Sequence, residues 1–175
     1  TTRSAKAIEN LGKQLPQFKG ELHLINCSLT EDGDAENLID QIEQTGTNID
    51  ILVNNAGHTL NITDPFCSIE DWRKVFALNF EVAVKLVNLC VPAMKKNKWG
   101  RIVNITSCAG LENSGPVTFS TVKAALTAYT RSMGRVLAIE QPEIVMSALF
   151  PGVVLTKGGH WEEVLKTNPK HAEQY

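Results

Sequence analysis

The sequence predicts an α/β fold with a doubly wound parallel sheet. Three short apolar runs, over 49–53, 101–105 and 144–150, have the length and composition of buried strands. The stretches between them carry apolar residues at helical spacing. Short strands that alternate with longer helices are typical of parallel strands joined by right-handed crossovers.

The first third of the chain predicts three elements in the order helix, strand, helix. Apolar residues at helical spacing predict a helix over 4–15, which Pro16 ends. A short apolar-rich segment over 21–27 predicts a strand, and helical spacing returns over 34–44. The strand over 49–53 follows, and its continuous apolar run places the core of the sheet there.

Two long helices are predicted in the rest of the chain. Helical spacing runs over 69–96 with an expected break near Asn79, and a second pattern runs over 117–139. Each is followed by one of the later strands, so the pattern predicts one domain over residues 1–175. We find no repeat, linker or low-complexity segment.

Composition excludes several classes of function. A formal net charge of −2 with interspersed acids and bases gives no basic face for nucleic acid or for an anionic membrane. No apolar stretch reaches the roughly 20 residues that span a bilayer, and the first residues do not resemble a signal peptide. The 4 cysteines lie far apart, which predicts free thiols, no metal site and a cytoplasmic location.

Unusual residues follow three of the predicted strands. Asn54 to Gly57, Ser107, and Pro151 to Thr156 each stand where a strand ends. In open α/β sheets, ligands bind beyond the carboxyl ends of the strands, so these segments predict one binding crevice. Each also has a structural interpretation: a turn, a helix cap and a loop breaker, respectively.

Four segments carry a family resemblance. They are Asn54-Asn55-Ala56-Gly57, Ile102-Val103-Asn104-Ile105-Thr106-Ser107, Phe119-Ser120-Thr121-Val122-Lys123 and Pro151-Gly152-Val153-Val154-Leu155-Thr156. In this order and at these separations they resemble the short-chain dehydrogenase/reductase family. The resemblance implies a Rossmann-like sheet and an NAD(P)-dependent oxidoreductase that interconverts a ketone and a secondary alcohol. A 3-oxoacyl thioester, a small ketone or a sugar-type compound is the substrate that it implies.

The resemblance assigns the catalytic positions. Asn79 is expected to perturb its helix and hold a water beside the catalytic lysine, which Lys123 matches. Ser107 is expected to orient the substrate oxygen, with Thr106 as the adjacent alternative. The family's catalytic tyrosine position holds Phe119, which cannot exchange a proton. Tyr129 lies ten residues further along the helix and about 15 Å away along its axis, too far to replace that tyrosine.

The resemblance also assigns the cofactor contacts. Asn54, Ala56 and Gly57 are expected to support the ribose region, and Lys123 to bind the nicotinamide ribose. The expected contacts with the nicotinamide ring and carboxamide are Pro151, Gly152, Val154 and Thr156. Arg3 favours the 2′-phosphate of NADP, although a solvated arginine fits equally well, so NAD stays open as the cofactor. Ser28 stands where the family often has an acid, which weakens the expected contact with adenine.

Departures from the family pattern leave two other interpretations open. The 175 residues contain no Gly-x-x-x-Gly-x-Gly loop, so we expect a partial domain that lacks the first βαβ segment and the last strand. Phe119 favours a non-catalytic relative that binds a nucleotide or a partner. A third interpretation is a folding unit that holds no cofactor. The family resemblance also implies a homodimer or homotetramer that associates through the helices predicted over 69–96 and 117–139.

Overall fold

The computed structural model describes residues 19–21, 23–112, 114–158 and 160–169. In chain order its elements are α1 (Asp34–Glu43), β1 (Ile51–Asn54), α2 (Ile69–Phe76), a π-turn (Ala77–Glu81), α3 (Val82–Asn97), β2 (Gly100–Ile105), α4 (Ala109–Glu112), α5 (Val117–Glu140), β3 (Ile144–Leu149) and α6 (His160–Thr167). The helix predicted over 4–15 lies outside these residues. The other long elements begin and end within a few residues of their predicted limits.

The three strands form one parallel sheet in the order β1-β2-β3. Leu52 pairs with Ile102, and Ile102 pairs with Met146 across the central strand. Because the strands are parallel, their carboxyl ends meet at one edge of the sheet. The α/β class with a parallel Rossmann-type sheet is therefore confirmed.

The hydrophobic core lies on one face of this sheet. Ile102 and Ile144 on the strands pack with Val87 and Met94 of α3, and each of the four is at most 2% exposed. Helices α1 and α5 contribute to the same cluster. Side chains on the opposite face are exposed among the described residues, namely Ile51, Val53, Val145 and Leu149.

The strand predicted over 21–27 is wrong for the residues that the structure describes. The segment belongs to no described strand ladder. A strand is defined by hydrogen bonds to a neighbouring strand, and the apolar content of a segment does not supply that neighbour. Two short helices, α4 and α6, were not predicted, because runs of 4 and 8 residues carry little periodicity.

Helices α2 and α3 form one continuous rod through the π-turn. The rod begins at Ser68, whose side chain accepts a hydrogen bond from the Asp71 N–H group, and ends before Lys98 in the left-handed conformation. Over Ile69–Asn97 the rod is long and apolar enough to cross a membrane by length and composition. Core helices of water-soluble proteins meet the same criterion, and buried residues of α3 pack against the sheet.

The 4 cysteines are free thiols, as predicted. Cys90 is buried in the core between α3 and the sheet. Burial raises the pKa of this thiol to about 11, which keeps it protonated and unreactive near neutral pH.

Candidate active site

Asn79 lies in the π-turn, which confirms the break predicted there. The turn has i→i+5 bonding, as the hydrogen bond from the Val82 N–H group to the Ala77 carbonyl shows. The Asn79 Nδ2 group donates to the carbonyl of Val75, four residues earlier, at 2.8 Å. Its side chain also bonds both backbone groups of His58: Oδ1 accepts from the N–H group at 3.1 Å, and Nδ2 donates to the carbonyl at 2.9 Å. The side chain therefore joins the rod to the loop after β1.

Lys123 is buried on α5, with 4% of its surface exposed. Its Nζ donates a hydrogen bond to the Ile105 carbonyl at the end of β2, at 2.9 Å. Burial lowers the pKa of the ammonium from its ordinary value of 10.5 to about 8. Helix α4 packs closely against this part of α5. A Cβ atom added to Gly110 of α4 would lie only 2.7 Å from the Ala124 backbone nitrogen.

The side chains of Asn79 and Lys123 converge on Gly57. A Cβ atom on Gly57 would lie 2.8 Å from Asn79 Oδ1 and 3.0 Å from Lys123 Nζ. A side chain at position 57 would therefore require the polar ends of Asn79 and Lys123 to shift. The backbone after β1, the π-turn and α5 therefore meet at one point, which we call the floor of the site and define as Gly57, Asn79 and Lys123.

A row of hydrogen-bonded polar side chains, which we call the buried polar chain, links two strands to α5. Asn54 Nδ2 donates to Asn104 Oδ1 at 2.8 Å, and Asn104 Nδ2 donates to Thr130 Oγ1 at the same distance. The Thr130 hydroxyl in turn donates to the Leu126 carbonyl. The buried polar chain therefore joins β1, β2 and α5. The contact predicted between Asn54 and the cofactor stays a prediction, and the side chain of this residue bonds to the sheet.

Ser107 and Thr106 differ sharply in what their hydroxyls do. The Thr106 hydroxyl donates to the Leu149 carbonyl at 2.8 Å, and only 3% of the residue is exposed. Ser107 is half-buried, and its Oγ accepts a hydrogen bond from the Ala109 N–H group at the start of α4. The Ser107 O–H group is still able to donate to a ligand. Ser107 therefore remains the candidate for orienting a substrate.

Phe119 is half-buried on α5, one helical turn before Lys123. The Lys123 ammonium lies 5.5 Å from the centre of its ring, at the range of a weak cation–π contact. The ring offers no hydroxyl. Tyr129 packs edge to face against Phe80 of the π-turn, and its buried hydroxyl has no partner among the described residues.

The loop after β3 carries the other predicted cofactor contacts, Pro151, Gly152, Val154 and Thr156. Its one described backbone tie to the neighbouring loop is the hydrogen bond from the Cys108 N–H group to the Pro151 carbonyl, at 3.1 Å. A Cβ atom on Gly152 would meet nothing within 4 Å. Ala56 is exposed as well, and Arg3 lies outside the described residues.

The structure thus brings Gly57, Asn79 and Lys123 together. Of the other predicted residues that it describes, Asn54 ends β1, Phe119 lies on α5, and the rest lie in the loops after the strands. Sequence reasoning missed Thr130, which only its hydrogen bonds identify. It also missed His58, although this residue follows the Asn-Ala-Gly segment directly. A titratable side chain at that point was the signal that could have indicated it.

Comparisons with known proteins bear on the family and the fold of this chain. A profile of the family described as short chain dehydrogenase matches residues 1–164. The 3-oxoacyl-(acyl-carrier-protein) reductase FabG of Aquifex aeolicus is 33% identical over 135 residues, which are 77% of this chain and 54% of that protein. The 3-oxoacyl-(acyl-carrier-protein) reductase of Synechocystis is 31% identical over 155 residues, which are 88% of this chain and 62% of that protein.

A third curated relative, the fatty acyl-CoA reductase of Acinetobacter baylyi, is 31% identical over 75% of this chain and 45% of its own length. The chain therefore spans about half to three fifths of these relatives. Among solved structures, a Burkholderia xenovorans protein assigned to the short-chain dehydrogenase/reductases superposes with a TM-score of 0.80 at 22% identity, over 98% of this chain and 65% of its own. The match over nearly the whole sequence shows that this chain belongs to the short-chain dehydrogenase family.

Proposed function

We propose that the chain forms the catalytic edge of an NAD(P)-dependent oxidoreductase that interconverts a ketone and a secondary alcohol. The observation that carries the proposal is the convergence of Asn79 Oδ1 and Lys123 Nζ on the backbone of Gly57. A buried ammonium beside glycine backbone is an arrangement suited to a polar ligand at close range.

The residues present fit the nicotinamide end of such a cofactor. Lys123 uses one N–H group on the Ile105 carbonyl and keeps two for the hydroxyls of a ribose. The backbone of Gly57 lies close to the polar groups of Asn79 and Lys123, and the loop over 151–156 would cover the ring and its carboxamide. The 175 residues contain no glycine-rich loop for the pyrophosphate, so this fit concerns the nicotinamide half only.

The chain's own residues then have distinct tasks. When bound, reduced nicotinamide supplies a hydride to the carbonyl carbon. The Ser107 hydroxyl donates a hydrogen bond that orients the carbonyl oxygen. Lys123 places a positive charge beside the site, and this charge stabilises the negative charge that develops on the oxygen. Phe119 packs near the Lys123 ammonium and offers no proton.

The direct test is a fluorescence titration of NADPH and NADH against the full-length protein that contains this chain. We expect binding that weakens about tenfold or more in a Lys123→Met variant, since the ribose loses a charged donor. A Lys157→Met variant is the matched control, because Lys157 lies in the exposed loop region after β3. Equal affinity in all three proteins would contradict the proposal.

The substrate that the site favours is an apolar carbonyl compound. Exposed apolar side chains surround the strand ends, namely Leu60, Leu111, Val117, Val154 and Leu155. Exposed apolar groups clustered about a site are typical of a surface that binds an apolar ligand. The names of the relatives, which include 3-oxoacyl and fatty acyl reductases, support a 3-oxoacyl thioester over a sugar.

Phe119 favours a second candidate, a non-catalytic relative that binds nucleotide or a partner. A Phe119→Tyr variant separates the two. General acid–base groups contribute about 10² to 10⁴ in rate, so a site that is otherwise intact should reduce a 3-oxo ester at least about 10² faster with the phenol restored. A variant that binds NADPH and gains no activity would favour the non-catalytic candidate.

A homodimer or homotetramer in the cytoplasm completes the proposal. Val136 and Ile139 near the end of α5 are exposed, and covering them would remove apolar surface from water. Light scattering of the full-length protein tests this assembly, and a monomer would contradict it.

A further inference from the structure

His58 extends the floor of the site toward solvent. It follows Gly57 directly, and both of its backbone polar groups are bonded to the side chain of Asn79. The residue is exposed, so its ring is accessible to a ligand at the carboxyl edge of the sheet. The structure therefore fixes the backbone of this histidine next to the floor, through its peptide bond to Gly57 and its hydrogen bonds to Asn79.

The ring of His58 has a defined orientation. Its Nδ1 accepts a hydrogen bond from the Leu60 N–H group at 2.8 Å. An accepting Nδ1 holds a lone pair, so in this arrangement the ring proton is on Nε2. Within the described part of the chain, no hydrogen bond of Nε2 accompanies this contact. The ring thus presents a hydrogen-bond donor that the described residues leave unused.

The turn that creates this arrangement is strained. Leu60 and Asn61 have φ angles of 55° and 60°, in the left-handed region that side-chain-bearing residues rarely adopt. Further hydrogen bonds hold the turn: the Ile62 N–H group bonds the Thr59 carbonyl, and the Thr118 hydroxyl bonds the Ile62 carbonyl on the side of α5. Strain of this kind is concentrated at functional sites, where the surroundings enforce it.

We propose that the Nε2–H group of His58 donates a hydrogen bond to the carbonyl oxygen of the substrate, the contact that Phe119 cannot make. This inference rests on the proposed oxidoreductase function. A carbonyl oxygen accepts two hydrogen bonds, and Ser107 supplies only one of them. His58 keeps its proton throughout: the carbonyl carbon gains the hydride, and the oxygen gains its proton from water.

Two substitutions separate the donor role of His58 from a purely structural role, in which its ring only accepts the hydrogen bond of the Leu60 N–H group. The Oδ1 atom of asparagine takes the place of Nδ1, so His58→Asn preserves the acceptor for the Leu60 N–H group but does not reach the position of Nε2. The Nε2 atom of glutamine takes the place of the ring Nε2, so His58→Gln preserves the donor and weakens the turn. Both side chains are neutral, so neither adds a charge beside Lys123.

The experiment measures NADPH-dependent reduction of ethyl acetoacetate by the full-length protein and its two variants, with melting temperatures alongside. We expect His58→Asn to keep the melting temperature and lose about 10²-fold in kcat/KM, as for the loss of one oxyanion donor. We expect His58→Gln to lower the melting temperature and stay within about threefold in kcat/KM. In a Phe119→Tyr background the loss in His58→Asn should shrink to about threefold, because the phenol supplies the contact.

Three results would overturn the inference. The first is a His58→Asn variant that keeps the parent activity, whatever the activity of His58→Gln. His58 would then have only a structural role. The second is equal loss in both variants, which would indicate proton transfer by the ring. The third is a parent protein that binds NADPH and is inactive, while Phe119→Tyr is active. Failure of the proposed function is a separate observation, the absence of NADPH binding by the parent protein.

Discussion

The floor and the rim of the site differ in how completely the protein holds them. The rim, which we define as Ser107, Phe119 and residues 151–156, is half-buried or exposed and has few described hydrogen bonds. The floor residues Asn79 and Lys123 are at most 4% exposed, and each of their described polar atoms bonds to backbone. The floor is preorganised for a ligand, whereas the arrangement of the rim depends on what binds there.

Phe119, which stands where the family has its catalytic tyrosine, lies on the rim. The loss of a phenol at Phe119 leaves all of the described floor contacts intact, because those contacts use Gly57, Asn79 and Lys123. Binding and chemistry are therefore separable in this fold. We therefore expect substitutions around the floor to lower the stability of the fold more than substitutions on the rim.

The largest effect on stability is expected at Gly110, which packs α4 directly behind Lys123. A Cβ atom there would lie 2.7 Å from the Ala124 nitrogen and 2.8 Å from the Lys123 carbonyl carbon, both of them backbone atoms. Gly110→Ala should lower the free energy of unfolding by about 3 kcal/mol, because backbone cannot rotate away. Denaturant unfolding measures the loss. The control is Gly152→Ala on the rim, where a Cβ atom meets nothing within 4 Å, and an equal loss there would refute the comparison.

Burial of Lys123 should make stability depend on pH. Its pKa is about 8 in the folded state and 10.5 ordinarily, so between these values the unfolded chain binds the extra proton. The free energy of unfolding therefore rises as the pH increases from about 8 to about 10.5, by at most about 3 kcal/mol. Denaturant unfolding over this range measures the rise. A Lys123→Met variant is the control. The difference between the two proteins in free energy of unfolding, followed over pH, isolates the effect of Lys123 from that of Cys90. If this difference did not change with pH, the Lys123 ammonium would not be desolvated in the folded state.

A smaller effect is expected from Thr130, the last side chain of the buried polar chain. Thr130→Val keeps the shape but leaves Asn104 Nδ2 without its described acceptor, which should cost about 1 to 3 kcal/mol. Thr156→Val on the exposed rim is the matched control, with an expected change within about 0.5 kcal/mol. Thermal unfolding compares the two. Similar melting temperatures would mean that water replaces the Thr130 hydroxyl.

Periodicity alone located most of the fold and part of the site. The strand pattern over 144–150 and the helix pattern over 117–139 match β3 and α5 closely, since long elements with one buried face carry a strong period. The interruption near Asn79 was also visible in the sequence. The family resemblance indicated that Asn79 holds a water beside Lys123, whereas the convergence of both side chains on Gly57 is visible only in the structure.

Other features depend on partners that a linear sequence does not show. The segment over 21–27 has strand composition, but strand formation requires a neighbour. Thr130 has the composition of an ordinary helix residue, and only its hydrogen bond with Asn104 on β2 gives it a role. The orientation of the His58 ring arises from left-handed angles at Leu60 and Asn61, and such an angle is unusual for leucine.

The π-turn has a consequence for how this helix tolerates insertions and deletions. Because the turn Ala77–Glu81 closes with i→i+5 bonds, it contains one residue more than an α-helical turn. Because the turn takes up this extra residue locally, removing one residue there would restore a regular helix and keep α2 and α3 in nearly the same phase, with Val75 still in the core. The Val75 carbonyl would then accept from a backbone N–H group four residues later, and the Asn79 side chain would lose that partner. A deletion at this point is therefore expected to alter the site while the packing of the rod is retained.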